Sequence, residues 1–318
     1  MSVFFLDPEP TTVRFGMFDS AFEPVLTVDS GDTVVLRAVS GGPEVMPSAD
    51  SAFAIPERLA AIHDAKLERI GPHILTGPVA IRGAEPGDML EVRIEDIQLD
   101  CDWGYCAIRP LAGTLPEDFN ERFLSHIAIN RNARTAKLPW GPELELSPFF
   151  GTMGVAPPPE YGRLSSREPR EHGGNLDNRE LGAGSTLFLP VWVPGANFSA
   201  GDGHGVQGDG EVCVNALETG LVGRFTFILH KRGSDEPLLH YPRAETATHY
   251  LTMGLHSDLD RALERALREM IAFICDRSGL SREQAYQLCS LAADFRITQS
   301  VNGEKGVHGM LRKELLAQ

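Results

Sequence analysis

Residues 201–211 are the part of the sequence best suited to chemistry. They place Asp202, His204 and Glu211 among five glycines. Asp202 and His204 are two positions apart, so an extended backbone would direct both side chains to the same face. The glycines would let a ligand approach the backbone closely. A carboxylate beside an imidazole suits either a divalent metal ion or a general base.

Other interpretations of residues 201–211 have to be weighed. Gly-Asp-Gly is also ordinary turn chemistry, so the segment could be only a hairpin loop. The glycines at 203, 205 and 208 match the dinucleotide-binding fingerprint, but that motif needs a following helix and a later acidic residue. Residues 211–217 alternate and favour a strand instead, and residues 220–232 contain no acid. The acid spacing of an EF-hand loop is absent too, which leaves a turn or a chemical site.

A second polar run, residues 172–178, precedes an apolar stretch that predicts a strand over 185–193. Its candidate functional side chains are His172, Asn175 and Asp177. If residues 187–193 and the segment ending at Ala200 form adjacent strands, these side chains could reach the same point as those of residues 201–211. The His-Gly-Gly-Asn sequence also resembles an esterase oxyanion loop, but the chain has no Gly-x-Ser-x-Gly nucleophile motif.

Cys213 offers a different chemistry. It follows Glu211 by two residues and would lie on the same side of a strand. A catalytic thiolate needs positive charge or a helix N-terminus nearby to lower its pKa, whereas the neighbouring residues are acidic and apolar. We therefore expect Cys213 in the core, and a thiol amidase that uses Cys213 is retained as an alternative.

Composition restricts the class of protein. The 318 residues are 42% hydrophobic, which is enough for a sizeable core, and the formal net charge is −15. Such a charge argues against a nucleic-acid partner, because binding to phosphates needs lysine and arginine. The five cysteines form neither an even set nor a paired Cys-x-x-Cys pattern, so we expect reduced thiols and a cytoplasmic protein. We expect neither a signal peptide nor a membrane span.

The first two hundred residues read as short strands separated by turns. Gly-Asp pairs at 31–32, 87–88 and 208–209 each precede a strand-like segment. The recurrence of this dipeptide indicates turn chemistry and not a repeat domain. Residues 156–159 and 165–171 are rich in proline or polar residues, so they predict loops, which often carry function.

Helical patterns appear only near the C-terminus. The apolar spacing predicts a helix from Asp258 to Ile274, with Ser257 as its N-cap. A second helix should begin at Ser281, where Gln284 completes a capping box. The residues that follow, 295–311, predict a strand, a turn and a second strand.

These patterns predict a β-rich α+β fold, with a β-sandwich or barrel-like core and C-terminal helices packed against it. We expect residues 1–245 to form the β-rich core. Residues 246–318 are expected to be an α+β portion that completes the same fold.

Several segments in a fixed order resemble the acetamidase/formamidase family. The central segments are Gly173–Asp177, Ala183–Pro190, Gly201–His204 and Gln207–Glu211, flanked by 76–78, 83–88, 154–157, 281–286 and 302–307. Each segment alone would be a weak turn motif, but their combination in this order is far more specific. The resemblance extends over nearly the whole chain.

The resemblance implies a cytoplasmic, metal-dependent enzyme that hydrolyses a small amide such as formamide or acetamide to ammonia and a carboxylate. It also implies a homodimer or a higher homo-oligomer. A divalent ion would polarise the carbonyl and provide hydroxide near neutral pH, which an unactivated amide requires. Mixed histidine and carboxylate ligands favour zinc, and an oxygen-rich site also suits calcium. The alternative is a protein of the same fold that binds a metal or small ligand without catalysis.

The candidate residues divide by role. The predicted metal ligands are His172, Asp177, Asp202 and His204, one more than the three that catalytic zinc needs. Glu211 is the predicted general base, and His204 is included with it as catalytic. Asn175 would orient the substrate amide, and His73 is a further substrate-binding candidate. We expect the polar stretch 100–147 to be longer than in compact family members and to line the pocket, which would admit a substrate larger than acetamide.

Overall fold

The computed structural model describes residues 1–233 and 238–316, and most of its regular structure is β-strand. Strands of the first half are β1 (Val3–Leu6), β2 (Val13–Phe15), β3 (Met17–Phe18), β4 (Leu26–Val28), β5 (Thr33–Ala38), β6 (Ile74–Ile81), β7 (Met89–Leu99), β8 (Trp103–Ile108), β9 (Phe123–Asn130), β10 (Thr135–Lys137), β11 (Glu143–Glu145), β12 (Phe149–Gly154) and β13 (Leu164–Ser165). Strands of the second half are β14 (Gly173–Asn175), β15 (Thr186–Pro190), β16 (Phe198–His204), β17 (Leu221–His230), β18 (Arg243–Glu245), β19 (His249–His256), β20 (Ala293–Gln299) and β21 (Lys305–Arg312). The α-helices are α1 (Glu57–Asp64), α2 (Leu259–Ser278) and α3 (Arg282–Ala292).

Two large sheets pack face to face around the main hydrophobic core. One has nine strands in the order β1-β5-β17-β7-β15-β18-β19-β21-β20, and the other has six, β14-β12-β16-β6-β2 with β4 beside β6. Buried phenylalanines join them: the rings of Phe150 and Phe225 lie 5.1 Å apart, as do those of Phe198 and Phe227. Edge-to-face aromatic pairs of this kind add to the stabilisation from burial. The predicted β-rich sandwich is confirmed.

The C-terminal helices cover the distal part of the nine-stranded sheet. Thr252 on β19 donates a hydrogen bond to the carbonyl of Ala266 on α2, at 2.8 Å. Gly254 permits this close approach, because a side chain there would collide with the helix backbone. The predicted helix packing is confirmed. The sheet runs without interruption across residue 245, and the division into portions 1–245 and 246–318 stays a prediction.

The N-termini of the two C-terminal helices test the caps predicted from the sequence. The predicted capping box at Ser281 is present, because its hydroxyl and the Gln284 side chain each bond the other's backbone N–H. The N-cap of α2 is Asp258 and not Ser257. Both residue types cap well, and the Asp258 carboxylate is the group that reaches the Arg261 N–H, at 3.0 Å. No helix in the described ranges, 1–233 and 238–316, is long and apolar enough to cross a membrane.

Two predictions about strands are wrong. Residues 211–217, all of which the structure describes, form turns and not a strand; Glu211 and Val214 have φ angles of 43° and 70°, which interrupt extended pairing. The predicted neighbours also belong to different sheets. Strand β15 pairs with β7 and β18, whereas the segment ending at Ala200 is part of β16, between β12 and β6. Residues 172–178 therefore approach β16 through β12 instead.

The Gly-Asp pairs at 31–32, 87–88 and 208–209 all lie in turns, but only the first two aspartates close the turn with their side chains. Asp32 accepts the backbone N–H of Asp29, and Asp88 accepts that of Glu85, so each carboxylate closes its own turn. Asp209 is exposed, and no strand follows it. The same dipeptide thus folds differently where the adjoining loop carries Glu211.

Asp88→Ala is expected to destabilise the protein by about 2–3 kcal/mol. The buried Asp88 carboxylate also accepts the Lys231 ammonium at 2.6 Å and the Arg232 backbone N–H at 2.8 Å, so truncation leaves these donors without their acceptor. Thermal and urea unfolding would measure the loss. Asp209→Ala is the matched control, with an expected change below about 0.5 kcal/mol, and equal stability of the two variants would contradict this account.

Candidate metal and catalytic site

The end of β16 presents two functional side chains on one face. His204 Nε2 lies 3.4 Å from Asp202 Oδ2, as expected from their two-residue spacing. Asp202 has a φ angle of 61°, and the β12–β16 pairing skips the position between Gly201 and Gly203. This local irregularity directs the Asp202 carboxylate toward the imidazole.

Three more carboxylates complete the cluster around His204. Glu218 Oε1 lies 3.4 Å from His204 Nε2, and Asp177 Oδ1 lies 3.8 Å from it. These side chains form two groups that could hold a metal ion, and within each group the ligand atoms lie within 4.8 Å of one another. One group is Asp177, His204 and Glu211, and the other is Asp202, His204 and Glu218. All five side chains are buried. His204 Nε2 is the point that both groups share.

Gly151 on β12 makes room for this cluster. A Cβ atom at this position would lie 2.5 Å from Asp177 Oδ1, 2.6 Å from Asp202 Oδ2 and 2.7 Å from His204 Cε1. Real contacts are longer than this, so any side chain at 151 would displace the carboxylates. The position therefore requires glycine for space.

Hydrogen bonds orient the imidazole for its role. His204 Nδ1 lies 2.9 Å from Gln207 Oε1, and a bond to this amide oxygen requires Nδ1 to carry the proton. The amide nitrogen of Gln207 donates to the backbone carbonyl of Asp177 at 2.8 Å, which fixes the direction of the amide. Burial opposes protonation of the ring, but Glu218 and Asp202 outweigh it and raise the pKa of His204 well above its usual range. Nε2 would bind a cation after releasing its proton.

Burial and crowding of like charges strongly shift the pKa values of the acidic side chains. Burial raises the pKa of Asp177 to about 7 and that of Glu218 to about 8. Burial, and then the charge of Asp177, raise the pKa of Glu211 well above its usual range. Burial opposes ionisation of Asp202 as well, but His73 and His204 outweigh it and lower the pKa of that carboxyl. Four acids in so small a volume need either protons or a cation.

Two carboxylate oxygens have no donor. Asp177 Oδ1 and Glu211 Oε2 are buried and lack a hydrogen-bond partner among residues 1–233 and 238–316. The other Asp177 oxygen accepts from the amide of Asn302, at 2.5 Å. Unpaired buried acceptors are costly, so a cation or a shared proton fits this place.

The predicted substrate-binding residues lie beside the cluster. His73 Nε2 is 3.7 Å from Asp202 Oδ2, and its Nδ1 is 2.9 Å from Ser166 Oγ. The side-chain amide oxygen of Asn175 accepts a hydrogen bond from the Thr152 hydroxyl, which also lies 3.2 Å from Asp202 Oδ2. Both predicted residues border the cavity above the carboxylates.

His172 is the predicted ligand that the structure does not bring to the cluster. Its ring packs edge-on against Phe18, with centroids 4.9 Å apart, and is fully buried. Neither ring nitrogen has a hydrogen-bond partner within the described part of the chain. Burial lowers the pKa of His172 to about 3, so the ring is neutral. Its position is that of a core residue behind β14.

The site opens into a cavity of about 470 Å³. Its floor contains Asp177, Asp202, Glu211 and Glu218, and its walls include residues 40–42, 44, 69–74 and 109–112. Part of the polar stretch 100–147 thus lines the pocket, as the sequence suggested. Tyr105 stands at the cavity wall, with its pKa raised by burial and by Glu218, so it is protonated.

Sequence comparisons identify the family of this chain. A profile of the Acetamidase/Formamidase family matches residues 16–168 and 164–307. An acetamidase from Mycolicibacterium smegmatis is 30% identical over 214 residues, which cover 46% of this chain and 51% of that protein. The chain spans about half the length of the curated relatives it matches.

Solved structures show the same fold over nearly the entire chain. An acetamidase from Bacillus halodurans superimposes with a TM-score of 0.84 at 29% identity, covering 98% of both chains. An acetamidase from Yersinia enterocolitica gives a TM-score of 0.85 at 29% identity, covering 99% of this chain and 93% of that one. Three of the family segments, 173–177, 201–204 and 207–211, supply Asp177, Asp202, His204 and Glu211 to the cluster. The chain belongs to the acetamidase/formamidase family.

Proposed function

We propose that this protein hydrolyses the C–N bond of a small linear amide to ammonia and a carboxylate. One observation carries the proposal: four buried carboxylates that line an open cavity cluster around a single buried histidine. Family membership and the names of the similar proteins, acetamidase and formamidase, support the reaction type.

The residues fit a divalent cation. We infer that Asp202, His204 and Glu218 hold it, because these three atoms form a compact set and leave one side open to the cavity. Two carboxylates and one imidazole suit zinc, and the additional oxygens nearby also suit calcium. When bound, such an ion polarises a carbonyl and lowers the pKa of water.

Glu211 and Asp177 then carry out the proton transfer of the hydrolysis. Their carboxyl groups lie together, and like-charge repulsion in a buried place favours one proton shared between them. With a cation bound, Glu211 would ionise, accept the proton of the water that attacks the amide carbonyl and return it to the leaving nitrogen. Asn302 keeps Asp177 in place through its amide. Asp177, a predicted metal ligand, thus has a second candidate role.

Asn175 and His73 position the substrate. Asn175 uses one N–H to bond the Arg167 carbonyl at 3.2 Å, and its second N–H is available for the carbonyl oxygen of an amide. Burial is the main cause that lowers the pKa of His73, although the charge of Asp202 opposes it. The family resemblance also leads us to propose that the protein is cytoplasmic and forms a homo-oligomer. Sedimentation of the purified protein would test the oligomeric state.

A thiol mechanism is the second candidate, and one observation favours it. Cys213 Sγ lies 3.5 Å from Cys106 Sγ, and the hydrogen bond between them lowers the pKa of Cys213 to about 6. Cys213 is only half-buried, so the expectation of a core position was too strong. However, the described residues that line the cavity include Val214 and Asn215 but not Cys213.

Cys213→Ser is expected to leave kcat/KM for amides within about threefold of the original value, because the thiol does not face the floor of the cavity. Ammonia release measures this directly. Cys106→Ser is the matched control for effects of the thiol contact on the loop. A loss of a hundredfold in the first variant alone would establish the thiol mechanism.

The experiment that tests the proposed function is ammonia release from formamide, acetamide and longer amides, with the corresponding methyl esters as controls for general hydrolysis. Turnover of an amide that Asp202→Asn abolishes would support the proposal. No release from any amide would favour a binding protein of the same fold.

A further inference from the structure

The cavity is much larger than the simplest substrate needs. Its volume of about 470 Å³ falls in the range that encloses drug-sized ligands, about 300–1,000 Å³. Acetamide is only a few times larger than a water molecule, whose share of liquid volume is about 30 Å³. Residues 109–112 belong to the lining of this space, together with the four carboxylates.

Arg109 is the distinctive residue of that wall. It follows β8 directly and is half-buried at the cavity surface. Its guanidinium makes no hydrogen bond or salt bridge with any residue in the ranges 1–233 and 238–316, although an arginine offers five N–H donors. A half-buried arginine without an anion has capacity for one from outside the chain.

The other arginines of the wall differ from Arg109 in pairing or in exposure. Arg69 holds Glu44 through two hydrogen bonds of 2.8 and 3.2 Å and also donates to the carbonyl of Gly71. Arg167 is exposed to solvent. Glu44 is therefore not free to neutralise Arg109.

The charge of Arg109 affects the pKa values of two side chains that line the cavity. Burial is the main reason why the pKa of His73 is lowered, and Arg109 adds to the same direction. Arg69 lowers the pKa of Glu44 most, with a further contribution from Arg109. Arg109 thus lies close enough to act on groups at two sides of the cavity.

We propose that Arg109 selects amides that carry a carboxylate at the end remote from the amide group, such as the monoamide of a short dicarboxylic acid. This inference rests on the proposed function. A guanidinium binds a carboxylate through two parallel N–H···O bonds, which orients as well as attracts the substrate. The amide end would then reach Glu211 and Asn175 while the anionic end stays at residues 109–112.

The test compares succinamate with its neutral methyl ester and with acetamide as substrates. We expect the original protein to show at least a tenfold higher kcat/KM for succinamate than for the ester. Arg109→Gln should lower kcat/KM for succinamate about ten- to hundredfold, chiefly through KM, and change the neutral amides by less than about threefold. Arg109→Lys should restore part of the preference, because it keeps the charge but not the bidentate geometry.

Arg167→Gln is the matched control, since it removes an exposed arginine at the same cavity and should leave the ratio of the two substrates unchanged. Thermal unfolding of each variant shows whether the fold is retained. Turnover of neutral amides without a preference for succinamate, or an equal effect of Arg109→Gln on all substrates, would overturn this inference and leave the proposed function intact. Absence of turnover with every amide would overturn both.

Discussion

Gly151→Ala is expected to abolish amide hydrolysis although it removes no functional group. The added methyl group would lie within 2.7 Å of atoms of Asp177, Asp202 and His204, where normal contacts need more than 3 Å. The carboxylates must move outward, and displacements near 1 Å from productive geometry cost about a hundredfold in rate. We expect kcat/KM to fall at least about a hundredfold and the affinity for a divalent ion to fall with it.

The control for this variant is Gly208→Ala. Gly208 lies in the loop that leads to Glu211, but a Cβ there meets no atom of the described residues within 4 Å. It should therefore retain nearly full activity. Ammonia release, bound-metal analysis and circular dichroism of both variants make the comparison. Full activity of Gly151→Ala would show that the carboxylates do not act in the arrangement described above.

Glu211→Gln and Glu218→Gln are expected to inactivate the enzyme for different reasons. Glu211→Gln removes the proton acceptor, so kcat should fall about 10²- to 10⁴-fold while the bound metal remains. Glu218→Gln removes a proposed ligand, so the metal content should fall together with kcat. Gln has nearly the shape of Glu, which keeps packing constant at both positions.

Three measurements separate these outcomes: kcat, metal per chain and the melting temperature of the metal-free protein. Burial raises the pKa of both acids, so without metal each is largely protonated and Gln replaces it with another neutral group. Neither substitution should therefore lower the melting temperature of the metal-free protein. Loss of metal from Glu211→Gln with retention in Glu218→Gln would reverse the assignment and place the ion on Asp177, His204 and Glu211. Retained activity in Glu211→Gln would eliminate it as the base.

Much of the fold follows from local patterns. Short segments of sequence carry the periodicity of apolar residues and the helix caps. These local signals predict the β-rich core, the C-terminal helices and the capping box at Ser281. The strand predicted over 211–217 failed because alternation also occurs in loops that long-range contacts hold. In this loop, Glu218 pairs its backbone with Tyr105, more than a hundred residues away.

The site was only partly accessible from the sequence. Asp202 and His204 were paired through their spacing on one strand, and Glu211 was chosen as an acid in the same glycine-rich run. Glu218 was missed because nothing local distinguishes it from a surface acid; only the fold brings it to His204. Gln207 and Asn302 lay within family segments, but their hydrogen bonds to the site depend on the tertiary structure.

His172 illustrates the opposite difficulty. Its neighbours Asn175 and Asp177 approach the site, yet its own ring packs against Phe18 in the core. The glycines at 173 and 174 have φ angles of 90° and 86°, so the chain direction changes between His172 and Asn175. Proximity in sequence therefore did not mean proximity in space.

The most direct measurement is ammonia release from formamide and acetamide before and after chelation, followed by addition of zinc or calcium at one equivalent per chain. The account predicts that chelation lowers turnover at least about a hundredfold and that one of the two ions restores it. Turnover that persists in protein shown to be free of divalent metal would contradict a metal-dependent amide hydrolysis at the His204 cluster.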